Sequence, residues 1–208
     1  MSEATESAPA GNMTPDELVE AIPPLIATVS SRLGEHAETL RDWSRDWLHA
    51  WNTYDVDAVL ALVTADFVYQ DPSMFGDQIV GRAAFREFLT MMWHAFPDMA
   101  MEIPSTPFVP LIGTGLAVPW RLTGTFTGDL RAGDDLTIAP TGRRFDIHGI
   151  DLYTYREGLL CHWTSVADQM NLARQLGLIP DPNSRQIKYA LRAQRLLTPL
   201  LTPGRWKR

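Results

Sequence analysis

The 208-residue sequence contains a single cysteine, Cys161, so no disulfide can close within one chain. So little cysteine fits a reducing compartment, and the place of Cys161 in an apolar strand suggests a buried, unreactive thiol. No apolar run is long enough to cross a bilayer, and residues 1–12 are polar and acidic with none of the features of a signal peptide. The expected location is therefore the cytoplasm. A glycine-rich phosphate loop, a zinc-spaced Cys/His set, a nucleophile elbow and internal repeats are also missing. Acidic residues are absent from Ser184 to Arg208, where seven Lys or Arg give +7; the remainder holds 11 basic and 25 acidic residues, or −14. An acidic body argues against nucleic acid as a partner. In the basic tail, Ile187, Leu191, Leu196 and Leu197 alternate with Arg and Lys. The segment suits packing on the body, on a partner or on a membrane surface, with packing on the body the default and no other membrane contact expected.

What is present is ordinary globular composition, 45% hydrophobic and 21% charged. The chain divides into a disordered tail at 1–12, a helical extension at 13–34, a domain at 35–180 and a basic extension at 181–208. Thr14-Pro15-Asp16-Glu17 reads as a helix start that Pro23-Pro24 breaks. An amphipathic helix spans about 31–52, with Trp43, Trp47 and Trp51 on one stripe; further helices are expected at 55–63 and 81–96. Strands follow at 99–103, 116–126, 145–155 and 159–167, with a long hairpin loop at 128–142, a tight turn at Arg156-Glu157-Gly158 and a short helix at 171–176 closed by Gly177. Helices followed by antiparallel strands make an α+β order rather than the alternation of a parallel α/β sheet.

Two aspartates stand where strands should bury apolar side chains. With a period of two, Asp71 shares a face with Phe67 and Tyr69, and Asp151 shares one with Phe145, Ile147, Tyr153 and Tyr155. A carboxylate there raises its pKa or finds a partner. Two such groups in unequal settings can serve as general acid and general base. The structural alternatives are a strand end for Asp71, before Pro72, and an ion pair for either.

These residues carry a resemblance. Asp55-Val56-Asp57-Ala58-Val59-Leu60-Ala61-Leu62, Ala65-Asp66, Asp71-Pro72 and Gly149-Ile150-Asp151-Leu152-Tyr153 with Trp163 are similar to ketosteroid isomerase. Pro140-Thr141-Gly142-Arg143-Arg144, Gly158, Trp163 and Arg174-Gln175-Leu176-Gly177 resemble the SnoaL-like polyketide cyclases. Both belong to the nuclear transport factor 2-like superfamily, and the resemblance spans about residues 35–180. It implies an α+β cone, a curved antiparallel sheet wrapped by N-terminal helices, with helical extensions at both ends. It also implies a cofactor-independent acid/base enzyme, isomerase or cyclase, that passes through an enolate of a hydrophobic polycyclic carbonyl compound. The isomerase match makes Asp71 the base and Asp151 a protonated acid; the handling of such a neutral acid in an apolar site is well established for that enzyme. Its oxyanion-binding tyrosine falls at Trp47, and Tyr69, Tyr153 or Tyr155 could replace it. The cyclases' acid/base aspartate falls at Ser165 and their pocket histidine at Asp151, leaving Asp168 as a substitute unless it caps the following helix.

Trp47, Tyr69, Trp93, Trp120, Tyr153 and Trp163 are the expected apolar walls, with core filling as the alternative. His148 alternates to the surface, and His94 reaches at most a pocket mouth. No metal or organic cofactor is expected, and a homodimer is the default assembly. Two alternatives remain. One is an epoxide-hydrolase-like enzyme, which would need an arginine between two aspartates, where Arg121 points outward. The other is a binding or scaffold protein of the same fold, whose aspartates would be solvated or ion-paired rather than raised in pKa.

Overall fold

The structure, a computed structural model, describes residues 40–71, 78–110, 114–131, 136–180 and 184–201. The predicted N-terminal tail, the helix start at Thr14 and its break at Pro23-Pro24 lie outside these residues. Helix α1 covers residues 40–52. It buries Trp43, Trp47, Ala50 and Trp51, the residues that return to one side every three to four positions. A reversal through Tyr54, at φ 58°, leads to Asp55, whose side chain caps α2 (Val56–Ala61) by accepting from the Ala58 amide at 2.9 Å. The sequence suggested a helix through Val63. Instead α2 stops at Leu62, because that residue's carbonyl accepts from the Leu160 amide and the Trp43 indole, each at 3.0 Å, and Val63 is already in the sheet.

Strand β1 (Val63–Gln70) is followed by β2 (Ile79–Val80), α3 (Gly81–Ala95), β3 (Ala100–Glu102) and β4 (Gly115–Thr125). A two-stranded ribbon, β5 (Leu130–Arg131) with β6 (Thr137–Ile138), lies within what the sequence offered only as loop. Then come β7 (Arg144–Arg156), β8 (Leu159–Ala167), α4 (Gln169–Gln175) and α5 (Arg185–Leu201). The main sheet runs β2-β1-β8-β7-β4-β3. Its neighbours are antiparallel except β1 with β8, so the sheet is antiparallel-dominated as expected; that one pair is parallel. Strands far apart in sequence meet there, with the rest of the domain as their connection.

At the β7–β8 hairpin, Glu157 and Gly158 both have positive φ, 53° and 78°, which matches the twist of a tight two-residue turn. Close to it β8 bulges. Thr154 pairs with His162 but Tyr155 with Leu160, so Cys161 is the extra residue. Leu160 therefore takes the buried position, and Cys161 is only half-buried, contrary to the strict alternation assumed from sequence.

One face of the sheet packs against α1 and α3. Phe67, Val59, Val63, Phe85, Leu89, Phe126 and Leu160 there are fully buried. The opposite face leaves Ile150, Leu152 and Val166 between 44% and 51% exposed. The result is a curved α+β sheet.

Candidate active site

Asp151 occupies the middle of β7. The strand buries every second residue from Phe145 to Tyr155 except the half-buried Gly149, and at the one carboxylate among them the exposure is 0%. Both oxygens are engaged: Trp120 Nε1 donates to Oδ1 at 2.7 Å and the Tyr153 hydroxyl to Oδ2 at 2.8 Å. Burial pushes the carboxyl up to about 6, against the pull of nearby donors on Trp163, Ser165, Tyr153 and Trp120, which favour the charged form. Ser165 stands directly opposite Asp151 across the β7–β8 ladder.

The bond from Trp120 depends on a missing side chain. Gly149 is the cross-strand partner of Trp120, and a Cβ there would lie 2.2 Å from Trp120 Cζ2 and 2.6 Å from Cε2. Only glycine lets the indole lie across β7 and turn its N–H to the carboxylate two residues on.

Asp71 follows β1 and is 4% exposed, on the same face as Phe67 and Tyr69. Gln169, the first residue of α4, donates from Nε2 to Asp71 Oδ2 at 2.9 Å. Tyr69 pairs with Trp163 and Gln70 with Thr164, so one further step sets Asp71 level with Ser165. Asp71, Ser165 and Asp151 thus form a row over β1, β8 and β7, with the outer two about 10 Å apart at the backbone, two strand spacings. Both aspartates act on the Tyr69 phenol, whose pKa rises through burial first and then through their negative charge.

The aromatic candidates fill the space before this row. Trp47 meets Trp163 at 5.6 Å and Tyr153 at 6.1 Å, edge to face; Tyr69 meets Trp163 at 4.5 Å. Trp51 links Trp93 and Trp163 at 5.6 and 5.7 Å. Among the described residues the indole N–H groups of Trp47, Trp51, Trp93 and Trp163 are buried without a hydrogen bond, as is the Tyr155 hydroxyl. Trp47, at the position of the isomerase tyrosine, still brings its N–H near the Tyr153 hydroxyl. The interior is therefore rich in donors and supplies two acidic acceptors, an arrangement able to accept, hold and return a proton beside an apolar ligand.

Asp168 does not join the row. Its side chain is exposed and caps α4, accepting from the Asn171 amide at 2.8 Å, because alternation along β8 turns it away from Trp163 and Ser165. His94 and His148 are exposed. Arg121 lies on the outer face, where Asp146 and Glu102 hold it, so it cannot stand between Asp71 and Asp151. Among the described residues no group of three His, Cys, Asp or Glu could hold a metal ion, and no helix is long and apolar enough to cross a membrane. Sequence reasoning missed Gln169, which is 98 positions from its partner, and the reason for Gly149; a glycine inside a strand two residues before a buried acid was the available signal for the latter.

The profile of the SnoaL-like polyketide cyclases matches residues 41–176, more than half of the chain. The protein belongs to the SnoaL-like polyketide cyclase family. Solved structures with the same fold include AclR of Streptomyces galilaeus, described as a candidate hydroxylase, at 20% identity and TM-score 0.57 over 81% of this chain and 99% of that one. A candidate SnoaL-like polyketide cyclase from Jannaschia Sp. CCS1 shares 16% identity with TM-score 0.58, covering 69% and 94%. A protein of ketosteroid isomerase-like fold from Catenulispora acidiphila, solved with trimethylamine, shares 16% with TM-score 0.52, covering 66% and 93%. No curated protein matches this SnoaL-like chain in sequence.

Proposed function

We propose that this member of the family is a cyclase or isomerase that forms an enolate from a hydrophobic, polycyclic carbonyl compound. The Asp71 carboxylate, oriented by Gln169, takes a proton from the carbon next to the carbonyl. Asp151 supplies the balancing acid. With its proton on Oδ2, it donates to the Tyr153 oxygen, and Tyr153 turns its own O–H to the substrate oxygen, while Trp120 continues to donate to Oδ1. Tyr153 then serves where the isomerases use the tyrosine replaced here by Trp47. The enolate either attacks a second carbonyl of the same molecule, closing a ring, or takes its proton back at another carbon, moving a double bond. The proton removed by Asp71 ends on the new hydroxyl or carbon. No cofactor enters this scheme.

The observation that carries the reading is the fully buried Asp151, whose carboxyl burial pushes up to about 6. An acid perturbed in this way is expected of a catalyst and not of a binder with solvated or ion-paired aspartates. The cross-strand position supports it too: the cyclases' aspartate matches Ser165, and Asp151 is directly opposite, so the carboxylate changes strand while staying in the same part of the interior. The exposed Ile150, Leu152 and Val166 support a homodimer through the outer face of the sheet.

The test is deuterium uptake from D2O at the carbon next to the carbonyl, with a steroid enone and an aromatic polyketone as probes. It detects the enolate whatever the final product. The wild type should exchange at least one probe, and Asp71→Asn should slow exchange about 10²–10⁴-fold with an unchanged circular dichroism spectrum. Equal rates for both proteins would remove Asp71 as the base, and a lack of exchange with either probe would favour a binding role.

A further inference from the structure

We propose that Ser165 is a positioning residue that joins Asp71 and Asp151 into one proton-sharing pair. This rests on the acid/base reading proposed above and adds the path by which both acids recover their starting forms. Ser165 is 7% exposed and is the middle member of the row. Asp151 is its cross-strand partner on β7, and the β1–β8 register, carried one step past Gln70 and Thr164, brings Asp71 to its other side. Each neighbour is about 4.8 Å away at the backbone, one strand spacing. A hydroxyl has one hydrogen to give and two lone pairs, so it can accept from one carboxyl while donating to the other. The Ser165 hydroxyl favours the charged form of Asp151 and, from the same place, that of the Tyr69 phenol. Tyr69 stands two residues before Asp71 and pairs with Trp163, two before Ser165, so its ring flanks the gap that the hydroxyl bridges.

The other ionisable side chains around the row are the phenols of Tyr69, Tyr153 and Tyr155, kept neutral because burial raises all three. The helices bring uncharged groups: Trp47 and Phe85 reach Trp163, Phe88 reaches Tyr69, and Gln169 reaches Asp71. With no cation among these, a shared proton is what lowers the repulsion between the two acids. In the ring-closing outcome, Asp71 ends with the proton taken from carbon, and Asp151 ends charged after passing its own through Tyr153 to the new hydroxyl. Ser165 restores both. Its O–H bond breaks as the hydrogen goes to an Asp151 oxygen, and its Oγ takes the hydrogen from Asp71. One proton thus moves from Asp71 to Asp151, and the serine is unchanged. A double-bond shift needs no such transfer, because Asp71 returns its proton to carbon directly. The pair therefore suits ring closure better than isomerisation.

The link is read in the ligand-free protein by carbon-13 NMR titration of the aspartate carboxyls, with Asp71→Asn and Asp151→Asn giving the assignments. No substrate takes part, so the result stands apart from the deuterium exchange that tests the reaction. Exchange can fail with the link intact, and the link can be absent with exchange intact. In the wild type the Asp71 carbon should show a second inflection where Asp151 titrates, at about pH 6. Ser165→Ala should remove at least half of its amplitude and move the Asp151 midpoint up by about one unit, the effect of losing a donor to a charged group. Ser165→Thr keeps the hydroxyl and should restore both, with near-ultraviolet dichroism like the wild type in each variant. An Asp71 carbon that does not respond at the Asp151 midpoint, or responds equally in Ser165→Ala, would overturn the proposal even if Asp151 itself shifts, since Ser165 would then serve one acid only. So would a threonine variant that folds like the wild type and titrates like the alanine variant.

Discussion

Asp146 and Asp151 are five residues apart on the same strand, and their carboxyls behave in opposite ways. The odd spacing turns Asp146 to the outer face and Asp151 to the inner one. Asp146 accepts from Arg121 Nε at 2.8 Å and Nη2 at 2.6 Å, and these bonds, with the charge of Arg121, hold its carboxyl below the ordinary value. Asp151 faces only neutral donors, and burial raises it to about 6. The comparison separates partner from environment: a guanidinium in solvent stabilises a carboxylate more effectively than an indole and a phenol can in an apolar interior. It also shows how one strand supplies both a structural acid and a reactive one, with only the pleat to distinguish them.

The sharpest way to break the contrast is to remove the inner charge. With a folded value of about 6 and an unfolded value near 3.8, Asp151 binds its proton more tightly in the native state. Its contribution is therefore complete below about pH 4 and is lost as pH rises through 6, on the order of 3 kcal/mol in all. Asp151→Asn keeps an acceptor for Trp120 and a donor for Tyr153, so stability measured by denaturant unfolding should lose most of its fall between pH 4 and 7. If Asp151 is the acid, exchange in the wild type should decline above pH 6, and the variant's lower rate should lose that edge.

Trp120→Phe removes one donor to the charged form. The apparent pKa of Asp151 should move up by about one unit, seen as an alkaline shift of the same edge, because a hydrogen bond to a charged group is worth about 1.5–3 kcal/mol. An unchanged edge would show that Tyr153 alone fixes the acid. Gly149→Ala forces the Trp120 ring aside. It should cost about 1–3 kcal/mol in unfolding and shift the edge in the same direction. The smallest effect is expected on the outer face. With Arg121→Gln, Asp146 should titrate close to an ordinary aspartate by NMR, while the melting temperature and the exchange rate hardly change.

Much of this arrangement was legible in the sequence, because alternation is a local property. Residues 145, 147, 151, 153 and 155 fall on one face by counting, and the same count places Asp71 with Tyr69 and turns Asp168 and Arg121 away. Counting fails where the ladder is irregular, as at Cys161, which a one-residue bulge moves out of the buried row. It also cannot supply contacts between distant segments. The parallel pairing of β1 with β8, the bond from Gln169 to Asp71 and the carbonyl of Leu62 that ends α2 early all join residues about a hundred positions apart.

The contiguous indoles of Trp43, Trp47, Trp51, Trp93 and Trp163, each within 6 Å of the next, have an optical consequence. Excitation absorbed by any one of them passes readily among all five, so the emission of these five, out of seven tryptophans in the chain, is a single collective signal from the interior. A carbonyl compound entering beside Tyr69 and Trp163 would quench that signal as a whole. If the proposed function holds, the chain carries an unlabelled fluorescent reporter of its own occupancy, able to rank candidate ligands before any of them is known to react.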